Sequence, residues 1–249
     1  AIMRWYPPAA RRFDREARRV FPNMTRGARA RLGQSMGKHM GRTLFELYHD
    51  AEFQAQHHKF KVSGPGLEAL KQAQANGKGA IIVSGHFGQW EAIRAVLRKN
   101  GMESGAIIRT HKNPHYDRRI RAGIEAGGRP ILATGRAGTM ALVRHLRNGG
   151  IISILLDEKY PKGIRLPFLG IDALTSISAA QLALKYDLPM IPAYGIRMDD
   201  KNAVQVIFEE PIPHTDSVTM TRVFNDSLSN RIFANPDQWY WLLKRWDGA

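Results

Sequence analysis

Two patterns of apolar and polar positions divide this chain. Through about residue 57 the apolar residues are sparse and stand among arginines: Val20, Phe21, Met24, Leu32, Met36, Met40, Leu44 and Leu47. The last four recur three to four residues apart, which puts them on one helical face. From residue 66 short apolar runs alternate with amphipathic stretches. This second pattern predicts helices over 66–77, 89–100, 113–127, 139–147, 178–186 and 218–233. It predicts strands over 80–84, 105–110, 131–133, 151–156, 190–197 and 203–208. Only the short polar turn Met198–Asn202 separates the last two strands, so they should pair antiparallel. Strands alternating with helices predict an α/β fold, a mainly parallel central sheet flanked by helices. No linker composition and no repeat divides the 249 residues. One domain is expected, with a basic helical segment over 1–60 and an α/β core over 61–249.

Charge sharpens the picture. The formal net charge is +15, from 37 Lys and Arg against 22 Asp and Glu. Residues 1–43 hold eleven Arg and Lys against Asp14 and Glu16, a surplus of nine. Such a surplus attracts polyanions: nucleic acid, anionic lipid headgroups or an acidic protein. For the basic helices two readings stand, a solvated face packed on the domain or a face laid against anionic lipid. There is no cysteine, which excludes disulfides, thiolate metal sites and a cysteine nucleophile. No run approaches the roughly 18–20 apolar residues of a spanning helix. The chain opens at Ala1 rather than Met, so a leader or anchor is expected upstream. Adjacent His57 and His58 have no second ligand set and read as surface residues.

In an open α/β sheet, chemistry gathers at the carboxyl ends of the strands. Two polar clusters fall there: Ser84-Gly85-His86-Phe87-Gly88-Gln89-Trp90-Glu91 and Asp157-Glu158-Lys159. Glu91, in the first turn of the next helix, is placed to orient His86, leaving one ring nitrogen as a base. The flanking glycines allow close approach of a substrate and offer backbone N–H groups to an oxyanion. The same residues also fit a plain helix cap beside a ring.

The segment Gly85-His86-Phe87-Gly88-Gln89-Trp90-Glu91 resembles the G-H-x-G-x-W-E signature of the bacterial lipid A biosynthesis (late lauroyl/myristoyl) acyltransferases, within the wider H-x-x-x-x-D/E glycerolipid acyltransferase group. Further blocks agree in order. Ile108-Arg109-Thr110-His111-Lys112-Asn113-Pro114, followed by Asp117, is similar to a Y-R-P-x-x-N-P block. Arg136 falls where a basic residue precedes the next helix. Leu156-Asp157-Glu158-Lys159-Tyr160 is similar to a D-x-D-Y block, and Leu166-Pro167-Phe168-Leu169-Gly170 to a V-P-F-F-G block near Thr175. Asn235 to Trp246 resembles the family's P-E-Q-W-x-W-x-H-R-R-W ending, with Leu243 in place of a common His. Lys159 stands where a second Asp is usual.

The resemblance implies an O-acyltransferase with His86 and Glu91 as its catalytic dyad. It implies an acyl chain carried by acyl carrier protein, a hydroxyl of a lipid A precursor as acceptor, and neither metal nor other cofactor. It implies work at the cytoplasmic face of a bacterial inner membrane, where an anionic membrane surface and an acidic carrier protein both suit the basic segment. Arg109, Arg136, Asn113, Asp157 and Thr175 are the candidate substrate-binding residues. Arg109 and Arg136 are the candidates for phosphate, and Asp157 for an arginine or a sugar hydroxyl. Surface charge, an N-cap or an ion pair, and a helix-start residue are the plainer readings of these side chains. Trp239, Tyr240, Trp241 and Trp246 with Lys244 and Arg245 read either as a C-terminal helix docked on the core or as an interfacial anchor. Two rival enzymes use the same dyad: a transferase for another glycolipid or an amino-acid lipid, and a thioesterase. A nucleic-acid-binding module fits the charge alone, but the chain shows no finger spacing, RNP-type aromatic pair or P-loop.

Overall fold

The computed structural model of the protein describes residues 7–49, 52–53, 55, 60–110, 112–198 and 203–246. Two helices open it, α1 (Pro7–Val20) and α2 (Arg26–Tyr48). There follow β1 (Phe60–Ser63), α3 (Gly66–Ala75), β2 (Ala80–Ser84), α4 (Glu91–Lys99), β3 (Ser104–Ile108) and α5 (Pro114–Gly127). Next come β4 (Ile131–Ala133), α6 (Arg136–Arg147), β5 (Ile151–Leu155), and the hairpin β6 (Ile164–Phe168) and β7 (Ile171–Thr175). The last elements are α7 (Ser178–Tyr186), β8 (Met190–Arg197), β9 (Val204–Phe208) and α8 (Ser217–Ala234). Local chemistry sets the helix starts. The Thr25 hydroxyl accepts from Ala28 N–H, Asn113 accepts from His115 and Tyr116, and Asp216 accepts from Val218 and Thr219.

Among the described residues the central sheet has seven strands in the order β1-β9-β8-β2-β5-β3-β4. β8, β2, β5, β3 and β4 run parallel. β9 turns back antiparallel on β8, as the short connection predicts, and β1 follows β9 in parallel. β2 and β8 are buried along their whole length, as strands covered on both faces must be. Alternation along β2 feeds two cores. Ile81 and Val83 join a core with residues of α1, α2, α6, α7 and α8. Ala80 and Ile82 join another with Leu70 of α3 and Ile93, Val96 and Leu97 of α4. The result is a helix–sheet–helix sandwich.

The basic N-terminal helices belong to this body. Met36 and Leu47 of α2 are buried and Met40 packs on the main core. Arg197 of β8 ties α2 down. Its Nη2 donates to Glu46 Oε2 at 2.5 Å and to Thr43 Oγ1 at 2.7 Å, and its Nη1 to Glu46 Oε1 at 3.1 Å. Among the described residues no helix is long and apolar enough to cross a membrane.

Candidate active site

β2 and β5 are neighbours in register, with Ser84 opposite Leu155. Two residues beyond that pair stand His86 on one chain and Asp157 on the other. Strand pairing alone therefore sets the two side chains together at the carboxyl edge of the sheet. His86 Nδ1 lies 2.8 Å from Asp157 Oδ1, and the His86 backbone N–H donates to Oδ2 at 2.7 Å. The Trp239 indole N–H donates to the same Oδ2 at 2.8 Å. A carboxylate only accepts, so the hydrogen bond assigns the ring proton to Nδ1 and leaves Nε2 with a free lone pair. Asp157 is fully buried, while the His86 side chain keeps 22% of its surface exposed. The pair is thus anchored inside and reachable outside.

Electrostatics support that division. Burial works against an imidazolium at His86, but the charge and hydrogen bond of Asp157, helped by Glu158, outweigh it and hold the pKa above the ordinary value. Burial likewise works against ionised Asp157. The nearby imidazole and the donors from His86 and Trp239 outweigh it and hold the carboxyl below its ordinary range.

Backbone shape holds the loop. A Cβ at Gly85 would meet Asp157 Oδ2 at 3.0 Å and Leu228 at 2.7 Å. Gly88 has φ +58°, and a Cβ there would lie 2.0 Å from the Gly195 carbonyl oxygen. Every N–H from His86 to Gln89 is already used: by Asp157, Gly85 O, Gln238 O and Gly195 O in turn. These groups are therefore not the oxyanion donors that the glycines suggested.

Glu91 is a correction. Its carboxylate does not hold His86, which is held by Asp157. Glu91 Oε2 accepts from Arg94 Nη1 at 2.8 Å, one helical turn along α4, and both side chains are buried. Arg94 also donates to Ser104 O, Ile124 O and Gly128 O, so it closes the carboxyl end of α5. The i,i+3 spacing points Glu91 along its own helix and away from the loop that precedes it.

The other expected residues divide. Arg109 and Arg136 follow β3 and β4, which run parallel to β2, so they stand on the same edge as His86. Arg109 is 76% exposed and pairs with Glu158 at 3.3 Å, and Arg136 is exposed in the first turn of α6. Asn113 is the cap of α5, its side-chain oxygen occupied by two backbone donors. Thr175 is fully buried and accepts from Arg245 Nη2 at 2.7 Å. Thr175 is thus closed off from a substrate, whereas Asn113 is exposed on the edge that carries Arg109. Among the described residues no three His, Cys, Asp or Glu side chains gather as a metal ion needs. His57 and His58 lie outside the described residues.

The C-terminal segment docks on the core, one of the two readings expected of it, but as a 3-10 turn (Pro236–Gln238) and irregular chain rather than a helix. Trp239, Trp241 and Trp246 are buried in the main core. Gly88 N donates to Gln238 O at 2.8 Å and Tyr240 N to His86 O at 3.0 Å, so the segment clamps the histidine loop. Arg245 lies 4.7 Å over the Phe168 ring, and burial draws its guanidinium down to about 10. Trp239 is the contact to the candidate site that the local pattern could not reveal. A buried indole must give its N–H to something, but only the folded chain shows that the acceptor is Asp157.

The model of the bacterial lipid A biosynthesis acyltransferase family matches residues 9–247. A lipid A biosynthesis acyltransferase of Haemophilus influenzae is 24% identical over 234 residues, covering 90% of this chain and 71% of that protein. A phosphatidylinositol mannoside acyltransferase of Mycobacterium tuberculosis is 23% identical over 185 residues, covering 73% of this chain and 58% of its own length.

Proposed function

Since the chain belongs to the bacterial lipid A biosynthesis acyltransferase family, a family of acyl-transferring enzymes, we propose that it moves a fatty acyl chain from acyl carrier protein to a hydroxyl of a lipid A precursor, with His86 as general base. The observation that carries the mechanism is the 2.8 Å contact between His86 Nδ1 and buried Asp157. With Nδ1–H held there, Nε2 takes the proton of the acceptor hydroxyl. The oxygen attacks the thioester carbonyl, and the new C–O bond forms as the C–S bond breaks. Asp157 stabilises the imidazolium formed in between, and that proton leaves with the thiolate as a thiol. In this reading Asp157 takes the orienting role that the motif assigned to Glu91. Arg109 and Arg136, on the same edge, grip acceptor phosphate through their planar forks. The reaction runs at the cytoplasmic face of the inner membrane, where lipid and carrier protein meet.

A second acceptor has a specific observation behind it. The mycobacterial relative is named for a mannosylated phosphatidylinositol, at nearly the same identity as the Haemophilus protein. The test is to offer purified protein acyl carrier proteins of several chain lengths with a tetraacylated lipid A precursor or a phosphatidylinositol mannoside. Products are read by mass spectrometry. The expected result is a precursor heavier by one acyl chain. A gain only on the mannoside moves the acceptor, and release of free fatty acid without a lipid product makes the protein a thioesterase.

A further inference from the structure

A wide cleft of about 1140 Å³ lies between α1 and α2, lined by residues of both helices. Its walls carry Arg11, Arg15, Arg18, Arg19, Arg26 and Arg29, with no lysine among the lining residues. Four of these are held in place by two carboxylates. Asp14 binds Arg29 Nε at 2.8 Å and Arg18 Nη2 at 2.7 Å, while buried Glu16 binds Arg15 and Arg19. Arg11 and Arg26 are exposed and have no carboxylate partner among the described residues. Six guanidinium groups against two carboxylates leave a positive surplus inside a defined concavity.

Asp14 and Gln34 are the other polar lining residues, and the rest of the lining is carbon. Ala10, Phe13, Ala30 and Gly33 contribute to it. Phe13 is buried and presses edge-on against Trp241, ring centroids 6.2 Å apart. The helices meet closely there, since a Cβ on Gly33 would lie 2.9 Å from the Phe13 ring. Planar guanidinium forks above a smooth apolar floor match an anion that carries a hydrocarbon chain. A bare phosphate would leave the floor wet, and a nucleic acid would leave it uncovered.

We propose that this cleft binds an anionic phospholipid, its phosphate held by the arginines and one acyl chain laid along the Ala10–Phe13–Ala30–Gly33 floor. The site is geometrically separate from His86. The choice of a lipid over another polyanion rests on the lipid-directed activity proposed above.

The test measures binding without turnover. Purified protein is titrated with dihexanoyl-phosphatidylglycerol, with glycerol phosphate, and with an acidic amphipathic peptide. Three variants run beside it, each checked for an unchanged circular dichroism spectrum and melting temperature. Ala30→Trp fills the floor and keeps every charge. R11E/R26E reverses the two unpaired walls, and R147E/R222E makes the same charge change on α6 and α8. The short-chain lipid should bind about tenfold or more tighter than glycerol phosphate, by burial of its chain. Ala30→Trp and R11E/R26E should each weaken it by about tenfold or more, and R147E/R222E by about twofold or less. Wild-type binding by Ala30→Trp, or an equal loss in R147E/R222E, would leave only diffuse charge and overturn the site. Equal affinity for glycerol phosphate would make it a free-phosphate site and overturn it too. So would tight binding of an acidic amphipathic peptide with none of the lipid. Acyl transfer onto detergent-dispersed acceptor is assayed separately. Lipid binding in a protein that transfers nothing would count against the proposed activity and leave the cleft site standing.

Discussion

At the scale of single residues, two acids invite the same role and only one can fill it. Asp157 gives both oxygens to the His86 loop, and Glu91 gives its Oε2 to Arg94. Substitutions should separate them. His86→Ala should lower kcat by about 10²–10⁴-fold, the usual span for a lost general base. Asp157→Asn should fall in the same range, because an amide at this place releases the ring tautomer. Glu91→Gln should behave differently. It removes the counter-charge of buried Arg94 and should cost about 3 kcal/mol of stability, read by urea titration. Its folded fraction should keep most of its kcat. A large loss of kcat in a fully folded Glu91→Gln would return the acid to the catalytic pair.

The pH profile gives a second residue-scale test. The proposed transfer needs neutral His86, whose pKa is held above its ordinary 6.5. The rising limb of kcat/KM should therefore lie above pH 6.5 in the wild type. In Asp157→Asn burial, which lowers the pKa, is opposed only by the charge of Glu158, so the limb of the residual activity should move to lower pH. The same pair affects stability in a defined window. The His86 share is complete below its unfolded pKa and is lost as pH rises through the raised folded value. The Asp157 share is present above its unfolded pKa and is lost as pH falls through the lowered folded value. The melting-temperature gap between wild type and Asp157→Asn should thus be widest in mildly acidic buffer and narrow at alkaline pH.

Among the elements, the β6–β7 hairpin shows how a local signal can be overlooked. Ile164, Leu166 and Phe168 alternate with Arg165 and Pro167, and Leu166 and Phe168 are buried, as a half-buried strand requires. Pro167 argues against a strand, and Leu169-Gly170 lacks the Asn-Gly of a common tight turn. Yet Phe168 pairs with Ile171, and both turn residues have positive φ, +51° and +76°. Leu169 accepts that backbone because its side chain is buried in the main core. Gly170 has open space around its missing Cβ, so a side chain there meets strain alone. Gly170→Ala should cost about 1 kcal/mol in denaturant unfolding, without a change in kcat/KM. A neutral result would mean that the turn relaxes freely. β1 also lies outside the predicted strands. It is four residues long, mostly exposed, and exists through its pairing with β9.

On the scale of the whole molecule, the candidate active site is closed by two segments far apart in sequence. From the N-terminal side, Thr43 donates to Gly88 O and Glu46 accepts from both Gln89 and Arg197. From the C-terminal side, residues 238–240 pair with the same loop, and Trp239 holds Asp157. The basic helix α2 therefore serves as a wall of the site, and the cleft between α1 and α2 is left for an anion. Loss of Glu46, the partner of buried Arg197, should destabilise the fold by about 3 kcal/mol, whereas Glu46→Leu with Arg197→Met should cost less than the two single losses together. A double-mutant cycle in urea checks this, and additive costs would show that the two groups are not coupled.

Whatever depends on periodicity along a stretch of chain is legible before the chain folds. β2, β4, α7 and β8 fall at the predicted residues, because buried strands and amphipathic helices announce themselves within a few residues. The antiparallel return of β9 follows from the shortness of its turn. His86 and Asp157 were both legible as polar ends of apolar strands, and the blocks from residue 85 to 246 carried the family. Their partnership was not legible, since it depends on β5 lying beside β2 across the intervening β3 and β4, and on the register that sets Ser84 against Leu155. Nearness in sequence favoured Glu91, but a side chain in the first turn of a helix is offered first to its own i+3 neighbour. Trp239, the buried guanidinium of Arg245 and the inward face of α2 were decided in the same way. Each depends on which distant segment supplies an acceptor or an apolar surface, and only tertiary packing makes that choice.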